Sequence, residues 1–454
     1  MDNFFKFLNS DRYQYTESEI YLKNNMEDKI ATFDVFIRTE KEEDYGVVYG
    51  IEEVIGLIKI LNSTSYEEKK KYLLKIFDSP ELIQYISSMK FTGSLKGVRN
   101  GEIIHSNEPV LTITAPLIQG KILETPILNL LNHQILTATV SSRIVEAAKD
   151  RKVLFFGTRR AHGFEAAMSI TRASYMTGCG SSNIIGEYFY NLRSTGTMTH
   201  AYIQGFGMEK ESEYKAFDVY IKTFKEEKKP LIMLIDTYDT LKRGIVNAIA
   251  AFEANGIDDS YEGVYGIRID SGNLEILSKK CRKLLLESGF YKAKIILTSG
   301  LDERKITKLL ENNAEADIFG VGDAISLPEK ILSTVYKMSH IDGKDVMKVS
   351  NDEGKMSYPG NKNVYRLYEA GNVTDVVALA EGEEEIALKC DGNARKLTVD
   401  YIIDGKICED NVKLLNLEES KKYYESNKKY LKAHWKMVFS KSLIKLKEKL
   451  LSYI

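Results

Sequence analysis

The sequence has few cysteines and no long apolar run, and these absences exclude several classes of protein. Its 454 residues include four cysteines, which are Cys179, Cys281, Cys390 and Cys408. No two of them form a Cys-x-x-Cys pair, so neither a zinc ribbon nor a thioredoxin-like motif is predicted, and their scatter favours a reducing compartment. No apolar segment is long enough for a signal-peptide core or a membrane span. We therefore expect a soluble, cytoplasmic protein without a membrane partner.

The sequence also lacks an excess of charge of one sign. Lys and Arg number 63 and Asp and Glu number 65, so nothing in the overall charge indicates a nucleic-acid partner. Any anion site must come from a local concentration of positive side chains. With 43% hydrophobic residues, the chain can bury a large core and is expected to form more than one domain.

The first part of the chain, residues 1 to about 130, shows a mixed α and β pattern. Asp34 to Arg38 is predicted as a strand, Glu52 to Leu61 as a helix and Pro109 to Ala115 as a strand. Ser79-Pro80-Glu81 is a helix start, because a capping hydroxyl precedes a proline in the first turn. A long helix over 128–149 is predicted to lead into the next domain.

From about residue 150, short apolar runs alternate with helical patterns, which predicts a parallel sheet with helices outside it. The predicted strands cover residues 153–156, 231–235, 264–269, 295–298 and 318–321. The tail from about 345 is less regular, with a hairpin over Leu397 to Ile407 turning at Asp404-Gly405 and a lysine-rich helix from Glu418 to Ile454. The predicted domains are residues 1–130, 131–345 and 346–454, the last packing on the first two.

Polar clusters follow the predicted parallel strands at the point where each strand ends. They are Thr158-Arg159-Arg160, Asp236-Thr237-Tyr238-Asp239, Arg268 to Gly272, Thr298-Ser299-Gly300 and Gly320-Val321-Gly322-Asp323. Parallel strands bring their carboxyl ends to one edge, where barrels and open α/β sheets build their sites. Because several strand ends contribute and no Gly-x-Gly-x-x-Gly follows the first strand, the pattern favours a barrel.

Each candidate residue also has a plain structural interpretation. Arg159 and its neighbour can form one ion pair and leave one exposed arginine, and Arg268 with Asp270 can close the barrel rim as a salt bridge. The glycines can be ordinary turn residues, and His200 a hydrogen-bonded structural histidine. The functional alternative is one electropositive pocket that holds a multiply charged anion.

Taken together, the motifs resemble the nicotinate phosphoribosyltransferase family over most of the chain. The matching segments are Asp11 to Gln14, Ala31 to Asp34, Glu108-Pro109, Leu123 to Thr125, Phe156 to Gly163, Gly180 to Asn183, Gly196 to His200, Asp236 to Leu241, Arg268 to Gly272, Phe319 to Gly322 and Tyr358 to Gly360. Each motif alone is moderately specific, whereas their ordered succession is specific.

The resemblance implies a fold and a reaction. The fold is an irregular α/β barrel of the type II phosphoribosyltransferase kind, with an additional open α/β domain built from both chain ends. The partners are nicotinate, 5-phosphoribosyl-1-pyrophosphate and ATP, and the products are nicotinate mononucleotide and pyrophosphate, in NAD biosynthesis. The family couples transfer to ATP hydrolysis through a phosphohistidine, uses Mg²⁺, and commonly forms homodimers with shared sites.

The resemblance also assigns roles by position. His200 matches the phosphorylated histidine, and Tyr13 and Phe156 match the aromatic rings that sandwich the pyridine, with Tyr13 coming from a second subunit. Arg159 and Arg268 match groups that meet the carboxylate and pyrophosphate, and Asp270 the acid beside the base and ribose. Gly300, Gly320, Gly322, Arg38 and Lys337 match phosphate-binding positions. The metal ligands are not assigned.

Ser182 bears on the choice of substrate. Related nicotinamide enzymes carry an aspartate at the aligned position, and that carboxylate would repel a carboxylate substrate, whereas a serine would not. The alternatives are nicotinamide or quinolinate phosphoribosyl transfer on the same fold, or a catalytically inactive relative that binds a nucleotide.

Overall fold

The fold is taken from a computed structural model that describes residues 3–41, 44–351, 353–369, 372–382 and 394–454, so Cys390 lies outside the described residues. The strands are β1 (Ile30–Thr39), β2 (Tyr45–Val47), β3 (Ser94–Gly97), β4 (Ile103–His105), β5 (Pro109–Pro116), β6 (Lys152–Phe155), β7 (Gly180–Ser181), β8 (Leu231–Leu234), β9 (Tyr265–Ile269), β10 (Lys294–Leu297), β11 (Ile318–Val321), β12 (Leu332–Ile341), β13 (Lys344–Asp345), β14 (Lys362–Glu369), β15 (Asn372–Leu379), β16 (Ala394–Lys396), β17 (Val399–Ile403), β18 (Lys406–Ile407) and β19 (His434–Phe439).

The α-helices are α1 (Phe4–Leu8), α2 (Arg12–Lys23), α3 (Ile51–Ser63), α4 (Tyr66–Leu73), α5 (Pro80–Ser88), α6 (Leu117–Ile122), α7 (Glu124–Ala147), α8 (Phe164–Met176), α9 (Ile185–Tyr190), α10 (His200–Gln204), α11 (Ser212–Phe224), α12 (Ile245–Ala254), α13 (Leu274–Glu287), α14 (Glu303–Glu311), α15 (Asp323–Ser326), α16 (Glu409–Lys413), α17 (Leu417–Asn427) and α18 (Lys441–Leu451). No helix in the described part of the chain combines the length and apolar character needed to cross a bilayer.

The chain divides into two compact units. The first contains Met1–Thr139 and Lys330–Ile454, and the second contains Val140–Glu329. The first unit is therefore built from both chain ends. Residues 330–345 were expected in the barrel domain but lie in the first unit, because β12 pairs antiparallel with β1 from Thr39 to Ala31.

The first unit is built on a seven-stranded sheet in the order β13-β12-β1-β5-β3-β17-β18. Helix α3 presents Val54, Leu57, Ile58 and Leu61 at helical spacing, and all are buried. Helix α5 begins as predicted, since Ser79 accepts from the N–H of Leu82 and Pro80 occupies the first turn.

A second sheet in this unit corrects the prediction for the tail. The segment from Glu418 to Ile454 is not one helix, because β19 separates α17 from α18 and pairs in parallel with β15. The sheet has the order β16-β14-β15-β19. The predicted hairpin is confirmed, since β17 and β18 are antiparallel around Asp404, whose φ is 47°.

The second unit is the predicted irregular α/β barrel. Its six strands are parallel and run in the order β7-β6-β11-β10-β9-β8. Strands that follow one another in the chain are neighbours in this sheet, except that β7 and β8 share no ladder among the described residues, and β11 pairs in parallel with β6. Phe155, Ile267, Leu297 and Phe319 are fully buried and belong to the core that the strands share with helix residues such as Cys281.

A buried charge network links strands of the first unit. Arg366 on β14 donates from Nε and Nη2 to Asp375 at 2.7 and 2.9 Å, and from Nη1 to Glu102. The half-exposed Arg395 also donates to Glu102, at 3.1 Å. These two cations balance Glu102 and Asp375, which leaves the fully buried Glu108 without a counter-charge.

Glu108 is best explained as a neutral carboxylic acid. Burial, and then the charge of Asp375, raises the pKa of Glu108 well above its ordinary value, although Arg366 opposes the shift. Burial and Arg366 lower the pKa of the adjacent His105 to about 4, so this imidazole is also uncharged. These residue types bind metals, but both Asp375 oxygens already accept from Arg366. A proton on Glu108 therefore completes the charge balance.

Replacing Glu108 by Gln should remove a pH dependence of stability. As the pH rises above the ordinary carboxyl range, the unfolded chain releases a proton that the folded chain keeps, so this residue's contribution to stability falls. Chemical unfolding from about pH 5 to about pH 8 should show a shallower decline for Glu108→Gln than for the wild type. Glu409→Gln, at an exposed position, is the control. Equal slopes for Glu108→Gln and the wild type would show that Glu108 is ionised in the folded protein.

Candidate active site

The carboxyl ends of the barrel strands bring four candidate side chains together. Phe156 directly follows β6, Arg268 is the penultimate residue of β9, Asp270 directly follows β9, and Thr298 directly follows β10. Because these strands are parallel, their ends meet at one edge of the sheet. The predicted convergence at the barrel mouth is therefore present within this unit.

Arg268 connects three separate segments at this edge. Its Nε donates to Thr298 Oγ1 at 3.1 Å, and its Nη2 donates to Asp270 Oδ1 at 3.0 Å. Its Nη1 lies 3.3 Å from Thr197 Oγ1 and 3.5 Å from the carbonyl oxygen of Met198. The guanidinium carbon also lies 5.6 Å from the centroid of the Phe156 ring, within the range of a cation–π contact.

Asp270 is held in its ionised form by these contacts. Burial raises the pKa of Asp270, but the hydrogen bond from Thr298 and the charge of Arg268 outweigh burial, so the pKa lies below its ordinary value. Thr298 Oγ1 donates to Asp270 Oδ1. The side chain remains 31% exposed, so a ligand can reach this negative charge from the solvent side.

His200 lies beside the same carboxylate. Its Nε2 is 3.8 Å from Asp270 Oδ2, and its Nδ1 is 3.0 Å from Thr237 Oγ1. His200 is the first residue of α10. The side chain of Thr199, at the N-cap of this helix, accepts from the backbone N–H of Tyr202. If Nδ1 carries the proton and donates to Thr237, the lone pair of Nε2 is free to act as a nucleophile.

Asp236 and Thr237 are functional candidates that the sequence assigned only to a strand-end cluster. Asp236 Oδ2 accepts from the backbone N–H of Asp270 at 3.1 Å and from Ser271 Oγ at 2.5 Å. Its buried Oδ1 has no hydrogen-bond donor among the described residues. A free carboxylate oxygen beside a second carboxylate suits a hard cation such as Mg²⁺.

Two glycines pack against Phe156. A Cβ on Gly320 would lie 2.5 Å from Thr298 Cγ2 and 2.7 Å from Phe156 Cδ2, so only glycine fits at this position. Gly320 lies inside β11, within the strand predicted over 318–321. A Cβ on Gly322 would meet nothing closer than 3.6 Å.

Ser182 lies at the neighbouring strand end. Its Oγ donates to the carbonyl oxygen of Phe155 at 3.2 Å, and its backbone N–H donates to the same oxygen at 3.1 Å. The hydroxyl is partly buried and carries no charge. Ser182 therefore lies beside β6, the strand that Phe156 directly follows.

The turn after β10 has an unusual backbone. Ser299 and Gly300 have φ angles of 99° and 55°, and a positive φ is uncommon for serine. Lys305 Nζ donates to the carbonyl oxygen of Gly300 at 2.5 Å. A cavity of about 370 Å³ is lined by Gly272, Ser299, Lys305 and Lys308 among others. Lys305 and Lys308 bring two ammonium groups to this cavity, which suits an anion.

The adjacent arginines separate as the structural interpretation expected. Arg160 Nε pairs with Asp323 Oδ1 at 3.0 Å, and Asp323 is thereby neutralised beside Gly322. Arg159 is exposed on the 3₁₀ turn Thr158–Arg160 and forms no ion pair with a described residue. It is not in contact with the Arg268 network, so the barrel residues divide into a central group and an outlying arginine.

The remaining predicted residues lie in the first unit. Arg38 and Lys337 lie on one face of the β1–β12 pair, because Arg38 is opposite Ser333 and Lys337 is opposite Asp34. Burial lowers the pKa of Lys337, and the charges of Arg38 and Lys348 contribute although Glu124 opposes them. Tyr13 is on α2, with its side chain partly exposed.

Comparison with known proteins gives the family. Residues 8–132 match the nicotinate phosphoribosyltransferase N-terminal domain, and residues 152–375 match the nicotinate phosphoribosyltransferase family. The chain is 37% identical over 374 residues to nicotinate phosphoribosyltransferase of Bacillus subtilis, covering 80% of this chain and 74% of that protein. It is 33% identical over 367 residues to nicotinate phosphoribosyltransferase pncB2 of Mycobacterium tuberculosis, covering 80% of this chain and 76% of that protein.

Two solved structures share the fold. Nicotinate-nucleotide pyrophosphorylase from Pyrococcus furiosus is 27% identical with a TM-score of 0.75, covering 95% of this chain and 97% of that one. Human nicotinic acid phosphoribosyltransferase is 21% identical with a TM-score of 0.78, and the match covers 98% of this chain and 100% of that one. Both likenesses confirm the irregular barrel with its added domain.

Alanine at the two glycines near Phe156 should have different effects. Gly320→Ala should lower the free energy of unfolding by about 1–3 kcal/mol, because its Cβ must displace the Phe156 ring or Thr298. Gly322→Ala, with a φ of −111° and open space around it, should change stability by about 0.5 kcal/mol or less. Urea unfolding of both variants tests this, and similar losses would show that the packing at Gly320 is looser than described.

Proposed function

This chain belongs to the nicotinate phosphoribosyltransferase family, and on that premise we propose that it joins nicotinate to 5-phosphoribosyl-1-pyrophosphate with coupled ATP hydrolysis through His200. The observation that carries the proposal is the contact of Arg268, Asp270 and His200 beside the Phe156 ring. A positive group, a negative group and a nucleophile at one barrel mouth are what this chemistry requires.

The transfer step needs alignment more than acid–base catalysis. The pyridine nitrogen lone pair forms a bond to C1 of the ribose, and the bond from C1 to pyrophosphate breaks. The transition state resembles an oxocarbenium ion, as in glycoside chemistry. Asp270 stabilises the positive sugar, and Arg268 with the outlying Arg159 stabilises the departing negative charge.

The aromatic acid is held by stacking. Phe156 offers a flat face next to a guanidinium, and a ring that binds by stacking loses little conformational freedom. We assign Tyr13 as the second aromatic face, contributed by another copy of the chain in a homodimer. Ser182 supports a carboxylate substrate because it adds no negative charge.

The phosphate groups are assigned to two regions. The turn at Gly300 is assigned to the 5′-phosphate, since a glycine backbone allows close approach and the Lys305 ammonium lies at the Gly300 carbonyl oxygen. Gly322 adds an uncrowded backbone. Arg38 and Lys337 share a face that carries more positive charge than negative, which suits a pyrophosphate or ATP of a second copy.

His200 is the residue assigned to carry phosphate. Nε2 attacks the γ-phosphorus of ATP, the bond from that phosphorus to the ADP oxygen breaks, and ADP leaves. Thr237 fixes the imidazole through Nδ1, and Asp270 stabilises positive charge on the ring. Later, water attacks the phosphorus of the phosphoimidazole, the bond from Nε2 to phosphorus breaks, and inorganic phosphate leaves the free histidine.

Magnesium fits this site through Asp236 and Asp270. The unpartnered Oδ1 of Asp236 and the nearby Asp270 carboxylate are hard oxygen ligands. When bound, Mg²⁺ would neutralise phosphate charge. The carboxylates themselves orient Ser271 and Arg268 in its absence.

Product analysis tests the proposed reaction directly. The protein is incubated with 5-phosphoribosyl-1-pyrophosphate and nicotinate, nicotinamide or quinolinate, with and without ATP. We expect nicotinate mononucleotide and pyrophosphate from nicotinate alone, with a faster reaction when ATP is present. Ligand binding without pyrophosphate release would indicate an inactive nucleotide-binding relative, and turnover of another pyridine would reassign the substrate.

His200→Ala should abolish stimulation by ATP while leaving slow, uncoupled transfer, because the ribose and pyridine contacts remain. The ratio of rates with and without ATP measures this. The exposed His434→Ala variant is the control and should keep the wild-type ratio. Undiminished stimulation in His200→Ala would refute the assignment of the phosphate carrier.

Ser182→Asp should raise the KM for nicotinate by about tenfold or more, because a carboxylate at this position repels the carboxylate of the substrate. Ser182→Ala removes the hydroxyl without adding charge and should keep nicotinate use close to wild type. Steady-state kinetics of both variants separate charge from loss of the hydroxyl. An unchanged KM in Ser182→Asp would place this residue away from the pyridine.

A further inference from the structure

Tyr13 has a partly exposed ring that is nevertheless held on two sides. Its ring is 44% exposed, and its hydroxyl donates to Glu124 Oε1 at 3.4 Å. The ammonium of Lys121 lies 5.1 Å from the ring centroid, which is the geometry of a cation–π contact. An exposed tyrosine on a helix surface would otherwise sample several rotamers.

Lys121 is itself fixed by two carboxylates from different helices. Its Nζ lies 2.9 Å from Glu17 on α2 and 3.2 Å from Glu124 at the start of α7. Burial lowers the pKa of Lys121, but Glu17 and Glu124 outweigh it, so the pKa is raised and the side chain stays charged. One ammonium thus joins α2, α6 and α7.

The start of α2 is anchored independently of Lys121. Thr125 Oγ1 donates to Asp11 Oδ2 at 2.9 Å, and Arg12 Nη1 donates to the carbonyl oxygen of Ile76 at 3.0 Å. Loss of Lys121 should therefore leave the start of α2 in place and remove one of the two contacts that hold the ring. A cavity of about 430 Å³ adjoins this ring and is lined by Tyr13, Asp11, Asn129 and Asn132 among others.

We propose that Lys121 is a positioning residue for nicotinate, which holds the Tyr13 ring in the orientation that stacks on the pyridine. This inference rests on the proposed function, in which Tyr13 is one of the two aromatic faces. A ring that is already ordered loses less side-chain entropy when the substrate binds. Lys121 would therefore affect nicotinate affinity and leave the reacting atoms untouched.

The test is a double-mutant cycle on KM. Lys121→Met keeps the length of the side chain and removes the charge, and it should raise the KM for nicotinate by about three- to tenfold. The KM for 5-phosphoribosyl-1-pyrophosphate and kcat should stay close to wild type. Lys121→Arg should restore most of the nicotinate affinity, because a guanidinium can also contact the ring.

The decisive comparison is made in the Tyr13→Ala background. There, Lys121→Met should add no further increase in KM, because no ring remains to be positioned. Lys23→Met is the matched control, since Lys23 is an exposed lysine of α2 that pairs only with Glu19 among the described residues. Thermal unfolding of every variant measures whether the first unit stays folded.

Four results would overturn the inference, and one of them would also overturn the assigned role of Tyr13. An equal rise in KM with and without Tyr13 would show that Lys121 acts through another group, and a rise that tracks lost thermal stability would show a structural role. A normal nicotinate KM in Tyr13→Ala would sink the assigned role of Tyr13 and this inference together. Normal KM in Lys121→Met with a raised KM in Tyr13→Ala would sink the inference alone.

Discussion

The site in the barrel depends on the guanidinium of Arg268. It receives contacts from Asp270 after β9, Thr298 after β10 and the segment at Thr197, so one side chain fixes three segments that are remote in sequence. A largely buried cation must have such partners, because an unpaired one would be strongly destabilising. The same contacts keep Asp270 ionised and place it beside His200.

The networks around Arg366 and Arg268 differ in how far solvent can reach their charged groups. Arg366 in the first unit is completely buried, and its donors are taken up by Asp375, Glu102 and a backbone carbonyl. Arg268 is 17% exposed and stands beside a carboxylate and an imidazole that solvent can reach. The same kind of ion pair is thus sealed in a core in one case and left accessible to a ligand in the other, because the side chains differ in exposure.

The residues assigned to the reaction lie on parts of the chain that differ in rigidity. The barrel supplies charges at strand ends, where the backbone is fixed by neighbouring ladders on both sides. The aromatic face assigned to Tyr13 is on a helix surface, where orientation must come from side-chain contacts such as those of Lys121 and Glu124. Under our proposal, this difference is the reason that a lysine remote from the reacting atoms influences the affinity for a flat substrate.

From the sequence alone, local periodicity determined most elements of the barrel, and β11 was predicted to the residue because its apolar run is too short for a helix and is followed by glycine. The ordered motifs also determined the family. Only the tertiary structure showed that β19 interrupts the lysine-rich tail, that β12 belongs with β1, and that Gly320 is a packing position. It also decided the partners of His200, Lys121 and Glu108, because those contacts join residues far apart in the chain, and a local pattern carries no information about which distant groups will meet.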